Sequence, residues 1–135
     1  MTASEAVSGG LMAVTLNGIA QLEYDRAKVL ADYQGAYLAK MDERMNAEGI
    51  VIDGRHLLAP DLGQKAQFIA ANLTEAITTN NEAMAAAMCS WLATRMPDLK
   101  QVKIREQDGG YEIHLDFSEA YVKQHPIRFG RPGAP

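Results

Sequence analysis

The segment from Gln101 to Phe117 constrains the fold of this chain most, because it predicts a β-hairpin with one defined register. Apolar and polar residues alternate on both sides of Asp108-Gly109, a pair that favours the backbone of a tight hairpin turn. With the turn centred there, apolar residues face one another on one side of the strands, and on the other side Arg105 faces its opposite charge, Glu112. The predicted pairs are Val102 with Leu115, Lys103 with His114, Ile104 with Ile113, and Arg105 with Glu112.

The segment 11–47 shows apolar residues mostly at intervals of three, four or seven, which is typical of an amphipathic helix. One straight helix of this length measures about 55 Å, whereas a compact chain of this size has a diameter of roughly 37 Å. The overhanging apolar stripe then needs a cover, and a second copy of the chain is the simplest one. A kink or loop at Gly18 or Gly35 is the alternative, because it folds the segment back into a compact monomer. We favour the homodimer.

Segment 50–58 contains a β-branched run followed by Asp53-Gly54. It is either one strand with an irregular end or two very short strands that turn at this pair. Both alternatives place the segment in a β-sheet.

Helical signals follow between residues 62 and 96. Asp61 with Gln64 resembles a capping box, which predicts a helix start. The poor helix formers from Thr78 to Asn81, with Thr79 and Glu82 as a second capping pair, indicate a break or kink. The region is therefore one kinked helix or two helices.

We predict an α+β fold in which a long N-terminal helix and one or two further helices pack on a small, mainly antiparallel sheet. The hairpin 102–117 and the segment 50–58 build that sheet. Residues 1–10 are expected to form a flexible arm, 11–125 a single domain and 126–135 an irregular tail. Only 7% of the residues are aromatic, so we expect the core to depend on aliphatic residues, alanine and methionine.

Composition excludes several functional classes. The chain carries 13 basic and 17 acidic residues and no basic patch, which argues against nucleic acid as a partner. The apolar run 9–20 is too short and too polar to span a bilayer, and residues 1–10 contain no positive charge, unlike a secretory signal. A single cysteine, Cys89, permits no internal disulfide, so we expect a cytoplasmic protein with neither nucleic acid nor membrane as its partner.

The histidines and the single cysteine do not form a recognisable catalytic or metal-binding motif. The histidines lie on separate elements without metal-ligand spacing, so we predict no metal, no cofactor and no catalytic residue. The alternative is a small ligand-binding site at the 53–56 loop, where functional residues often lie. The residues of this alternative site are Asp53, Arg55, His56 and His114.

An apolar stripe in the N-terminal segment is the candidate partner-binding surface. Methionine and tyrosine at helical spacing adapt to a partner, although the same stripe can also fill a core. The residues of this stripe are Leu22, Val29, Tyr33, Tyr37, Met41 and Met45.

These observations favour a non-catalytic protein-binding, adaptor or chaperone-like protein that acts as a homodimer and binds another protein. A small enzyme or ligand-binding domain with a pocket near the 53–56 loop is one alternative. A subunit of a larger assembly, such as a phage or secretion component, is the other.

Overall fold

The computed structural model describes residues 10–123. The predicted arm, apart from Gly10, and the predicted tail at 126–135 lie outside these residues. The described chain contains six strands and three helices, and no helix in it is long and apolar enough to cross a membrane. In chain order the elements are β1 (Leu11–Leu16), β2 (Ile19–Asp25), α1 (Asp32–Glu48), β3 (Ile50–Ile52), β4 (Arg55–Leu57), α2 (Leu62–Thr78), α3 (Glu82–Arg95), β5 (Gln101–Gln107) and β6 (Gly110–Asp116).

The main sheet has four strands in the order β2-β1-β5-β6. The β5–β6 hairpin has the register that the sequence predicts, with Ile104 opposite Ile113 and Arg105 opposite Glu112. β1 joins this hairpin by parallel pairing with β5, whereas the two outer pairs are antiparallel. The α+β prediction is therefore confirmed, and the sheet is mixed, with antiparallel pairing in two of its three strand pairs.

The prediction of one helix over 11–47 is wrong. Residues 11–25 form the β1–β2 hairpin, and helix begins only at Asp32. The two-residue turn consists of Asn17 and Gly18, with φ angles of 51° and 84°, and this positive-φ pair is the one that a tight hairpin requires. No overlong helix therefore calls for a dimer, and the chain turns at Gly18, one of the two positions at which the alternative placed a kink or loop.

Segment 50–58 forms two very short strands, the second of the two alternatives. Asp53 and Gly54 make the turn with φ angles of 51° and 75°, and Ile52 pairs with Arg55. This hairpin is a separate two-stranded sheet, so the prediction that it belongs to the main sheet is wrong. β1 and β2 occupy that place instead.

Residues 62–95 form two helices with the predicted break between them. The Asp61 side chain accepts a hydrogen bond from the Gln64 backbone at 2.8 Å, and the Gln64 side chain accepts one from the Asp61 backbone at 2.9 Å. At the second start, Asn81 rather than Thr79 caps the helix, accepting from the Met84 backbone at 3.2 Å. The Thr79 hydroxyl instead donates to the Glu75 carbonyl.

Helices and sheet enclose one apolar core. Met12 and Val102 extend from the sheet into it, and Trp91 and Leu73 are fully buried on the helix side. Cys89 is also buried, and this burial raises the pKa of its thiol to about 12. Cys89 is therefore part of the core.

Candidate functional site

The structure divides the predicted partner-binding stripe into two sets. Met45 is buried, and Leu22 and Met41 pack against the core. Val29, Tyr33 and Tyr37 are exposed, at 94%, 75% and 49% of their surface. Leu22 also lies on β2 rather than on the helix. The stripe is therefore partly core and partly a free apolar surface.

The exposed tyrosines of this stripe form one wall of a groove between α1 and α3, which we call the α1–α3 groove. Its volume is about 600 Å³. Met84 contributes to the other wall and is 41% exposed, whereas Leu38, at the base, is 2% exposed. The groove is lined by Tyr33, Gln34, Tyr37, Leu38, Asn81, Ala83, Met84, Ala86, Ala87 and Ser90.

α1 and α3 run in the same direction along this groove. The N-terminal part of each helix lines it, while Asp42, further along α1, bonds to residues near the end of α3. Asp42 accepts hydrogen bonds from Trp91 Nε1 at 2.7 Å and from Arg95 Nε and Nη2 at 3.0 and 2.7 Å. Because Asp42 binds both side chains, it fixes the two helices together at the closed end of the groove.

Small side chains line the α3 side of the groove. They recur at intervals of three and four residues, which places them on one helix face. A partner backbone can approach such a face closely, because interaxial distance depends on the side chains at the contact. These small residues are Ala83, Ala86, Ala87 and Ser90.

The four residues of the alternative ligand-binding site do not share one element, because His114 is not part of the β3–β4 hairpin that carries the other three. Asp53 forms the turn, and His56 Nε2 lies 2.7 Å from the Glu48 carbonyl at the end of α1. A carbonyl only accepts, so His56 donates this bond and helps to end the helix. His114 lies instead on β6, opposite Lys103 of the main sheet.

His114 lines a polar concavity of about 940 Å³ on the sheet face opposite the core. The segment 117–123, which we call the crossing segment, passes over this face. The Gln101 side chain donates to the Glu119 carbonyl at 2.9 Å, and Tyr121 and Lys123 bond to Glu23 on β2 at 2.5 and 3.0 Å. The crossing segment therefore covers part of the sheet between β5 and β2.

Charged groups in this concavity bind one another. Lys103 Nζ lies 2.8 Å from Glu119 and 2.9 Å from Asp116, and hydrogen bonds to these two carboxylates raise the pKa of Lys103. Asp116 also accepts from the Ser118 and Glu119 backbone. This network holds the crossing segment in place, which is a structural task. Within residues 10–123 no group of three or more His, Cys, Asp or Glu side chains is arranged to hold a metal ion.

The α3 side of the groove is not among the partner-binding residues predicted from the sequence. Met84 belongs to a stripe with Met88 and Trp91, and those two residues are buried whereas Met84 is exposed. Spacing alone does not separate them, because all three lie on one helix at core periodicity. The alanines on either side of Met84 are the feature of the sequence that could have indicated the groove, since their short side chains leave space beside the helix.

Comparison with protein-family models, with curated proteins and with solved structures finds no match to this chain.

Proposed function

We propose that this protein is a non-catalytic adaptor that binds an amphipathic helix of another protein in the α1–α3 groove. The observation that carries the proposal is the exposure of Tyr33 and Tyr37 beside the small residues of α3. Aromatic side chains are common anchors at protein interfaces. Apolar grooves between helices are a recurrent binding surface for a helical segment.

The shape of the groove favours a helix as the occupant. Small residues at 83, 86, 87 and 90 allow a partner helix to lie close to α3. The tyrosines and Met84 then pack against large apolar side chains of that helix, and the rest of its surface stays in water. A second helix, aligned with the groove, buries all three exposed side chains at once.

Two further observations support a binding rather than a catalytic role. Lys103 and Glu119, which line the polar concavity, bind each other, and Lys103 also pairs with Asp116, so these charges are engaged in structure. The thiol of Cys89 is buried, and its raised pKa makes it a poor nucleophile. A buried free thiol also suits the reducing cytoplasm that we propose as the location.

A photo-cross-linking experiment in the native cell tests the groove. Benzoylphenylalanine replaces Tyr37 in one variant and Ile19, which is 64% exposed on β2, in the control. We expect position 37 to form a defined adduct with one protein that position 19 does not capture. Mass spectrometry should locate the adduct on one face of an amphipathic helix.

The purified partner then allows a quantitative test. We expect Ala86→Arg, which fills the groove, to weaken binding by about tenfold or more, as loss of an interface centre does. Ala71→Arg is the matched control, because Ala71 is an exposed alanine on α2. Equal adducts at positions 19 and 37, or binding that Ala86→Arg leaves unchanged, contradicts the proposal.

A further inference from the structure

β6 is an edge of the main sheet, and its outward-facing backbone groups have no partner within residues 10–123. Gln107 pairs with Gly110 across the two-residue turn, and the Lys100 backbone donates to the Asp116 carbonyl at 2.9 Å. In an antiparallel pair, alternate residues direct their N–H and C=O groups towards the partner strand. The residues that direct these groups away from β5 are therefore Tyr111, Ile113 and Leu115.

This edge lacks two of the usual protections against pairing, proline and a β-bulge. β6 is seven residues long, contains no proline and pairs with β5 in an uninterrupted register. The other edge differs, because the β1–β2 ladder is irregular between Val14 and Thr15 and the crossing segment bonds to Glu23. A long, regular edge without proline or bulge is a template for another strand.

We propose that β6 pairs antiparallel with β6 of a second copy of this chain, about a two-fold axis at Ile113. In this register Ile113 faces Ile113 of the second copy, and the two exchange both backbone hydrogen bonds. Tyr111 faces Leu115 of the second copy, and Glu112 faces His114. Apolar pairs and a carboxylate–imidazole pair thus coincide, and the two sheets join into one continuous sheet.

Other two-fold registers fit less well. An axis at Glu112 places that carboxylate against itself, and an axis at His114 places Glu112 against Asp116 of the second copy. An axis at Leu115 shortens the paired stretch. It also places His114 opposite Asp116 of the second copy, whose carboxylate already binds Lys103. Only the axis at Ile113 uses the whole strand without a like-charge pair, and like charges directly opposite destabilise pairing.

The proposed pairing also covers apolar surface. Tyr111 is 42% exposed, and Ile113 and Leu115 are half-buried at the edge of the core. All three side chains project from the face of β6 that carries the helices, so each gains an apolar neighbour from the second copy. This dimer does not depend on the α1–α3 groove, which is formed by the helices alone.

Oligomeric state in solution tests the proposal. Sedimentation velocity of the full chain should show a dimer at about 100 µM, a range in which modest self-association is populated. We expect His114→Glu to raise the dissociation constant by at least about tenfold, because the introduced carboxylate faces Glu112 on both sides of the axis. Within one copy this carboxylate lies opposite Lys103, so the fold should be retained, as circular dichroism checks.

A double substitution should rescue the dimer, and a substitution on β2, the other edge strand, serves as the control. Glu112→Lys combined with His114→Glu restores opposite charges across the axis and should restore the dimer. Gln21→Glu adds negative charge on β2, where Gln21 is exposed, and should leave the dimer intact. A wild-type chain that is monomeric at this concentration overturns the proposal, and so does a dimer that His114→Glu leaves unchanged.

A disulfide test fixes the register. Chains with Glu112→Cys are mixed with chains with His114→Cys under mild oxidation, and Cys89 does not compete because it is buried. Residues 112 and 114 of the two copies form a directly opposed pair, at a separation that a disulfide can span. We expect rapid cross-linking only in the mixture. Equal cross-linking of either variant alone contradicts the axis at Ile113.

Discussion

At the scale of single residues, two carboxylates each join parts of the chain that lie far apart in the sequence or on separate elements. Asp42 binds Trp91 and Arg95 and so joins α1 to α3. Asp116 binds Lys103 and the backbone of the crossing segment. Neither role is visible in the sequence, because each carboxylate looks like an ordinary surface residue until its distant partner is known. Asp42 and Trp91 are 49 positions apart.

We expect Asp116→Asn to reduce the pH dependence of stability in the acid range. The hydrogen bond from the Ser118 backbone, the Lys103 ammonium and the Glu119 backbone together lower the pKa of Asp116 below its ordinary value of 3.8. Since the folded pKa lies below the unfolded one, the carboxylate stabilises the fold fully above the ordinary pKa. That contribution is lost as the pH falls below this value towards the folded pKa.

Urea unfolding at a series of pH values between about 6 and about 2 measures this effect as the slope of the free energy of unfolding. The wild-type protein should lose more stability than the variant over this range. Asp108→Asn, in the exposed turn of the β5–β6 hairpin, controls for the loss of a carboxylate. Equal slopes for wild type and Asp116→Asn would show that the network does not stabilise the fold.

At the scale of elements, the hairpins illustrate what the sequence predicts well. Each of the described hairpins turns at an Asn-Gly or Asp-Gly pair, at 17–18, 53–54 and 108–109. The register of the last one follows from its turn and its cross-strand pairs. The same signal was present at Asn17-Gly18, but the spacing of Leu11, Val14 and Leu22 also fits a helix. The alternation from Ile19 to Tyr24 and the Asn-Gly pair together favour strands, and local intervals alone do not decide between the two.

The groove is harder to predict than the hairpins. Tyr33, Tyr37, Met41 and Met45 share one helical stripe, yet only the tyrosines remain exposed. Which end of the stripe is covered depends on where α3 lies, and the sequence of α1 contains no information about that. The tertiary arrangement therefore decides between core and binding surface.

Two glycines, one within α1 and one directly after it, predict opposite responses to alanine. At Gly49, φ is 77°, and an added Cβ would meet the Leu57 carbonyl and lie 2.9 Å from His56 Nε2. We expect Gly49→Ala to lower the free energy of unfolding by more than about 1 kcal/mol, from the left-handed backbone and the displaced β3–β4 hairpin. Gly35 lies in the helix with nothing within 4 Å of an added Cβ, so Gly35→Ala should raise stability by about 0.5–1 kcal/mol.

Urea denaturation of both variants measures these changes. The pair serves as its own control, because each substitution adds the same methyl group, one within α1 and one directly after its end. Destabilisation of similar size at both positions would contradict the argument.

At the scale of the whole molecule, the sheet joins the two ends of the described chain. β1 pairs in parallel with β5, and Asn17 bonds to Glu106, 89 positions away. No turn sets the register of a parallel pair, so the sequence could not predict it. The pairing makes β1 a central strand, covered by helices on one face and by the crossing segment on part of the other. Its residues from Met12 to Thr15 are buried accordingly.

This central position of β1 yields the final prediction, which compares two methionines. Met12 is fully buried, whereas Met84 is 41% exposed at the groove. We expect Met12→Ala to lower the free energy of unfolding by about 2–5 kcal/mol, because it leaves a cavity between sheet and helices. Met84→Ala should lower it by less than about 1 kcal/mol, as exposed substitutions do.

Urea unfolding distinguishes these outcomes. In partner binding, the two variants should rank the other way, with the larger effect at Met84. Met84→Ala removes part of the groove wall and should weaken the complex, while a folded Met12→Ala protein should bind as the wild type does. Equal losses of stability would mean that β1 is not the centre of the core. Unchanged binding by Met84→Ala would mean that the α3 wall does not contact the partner, so the two measurements test the core and the groove separately.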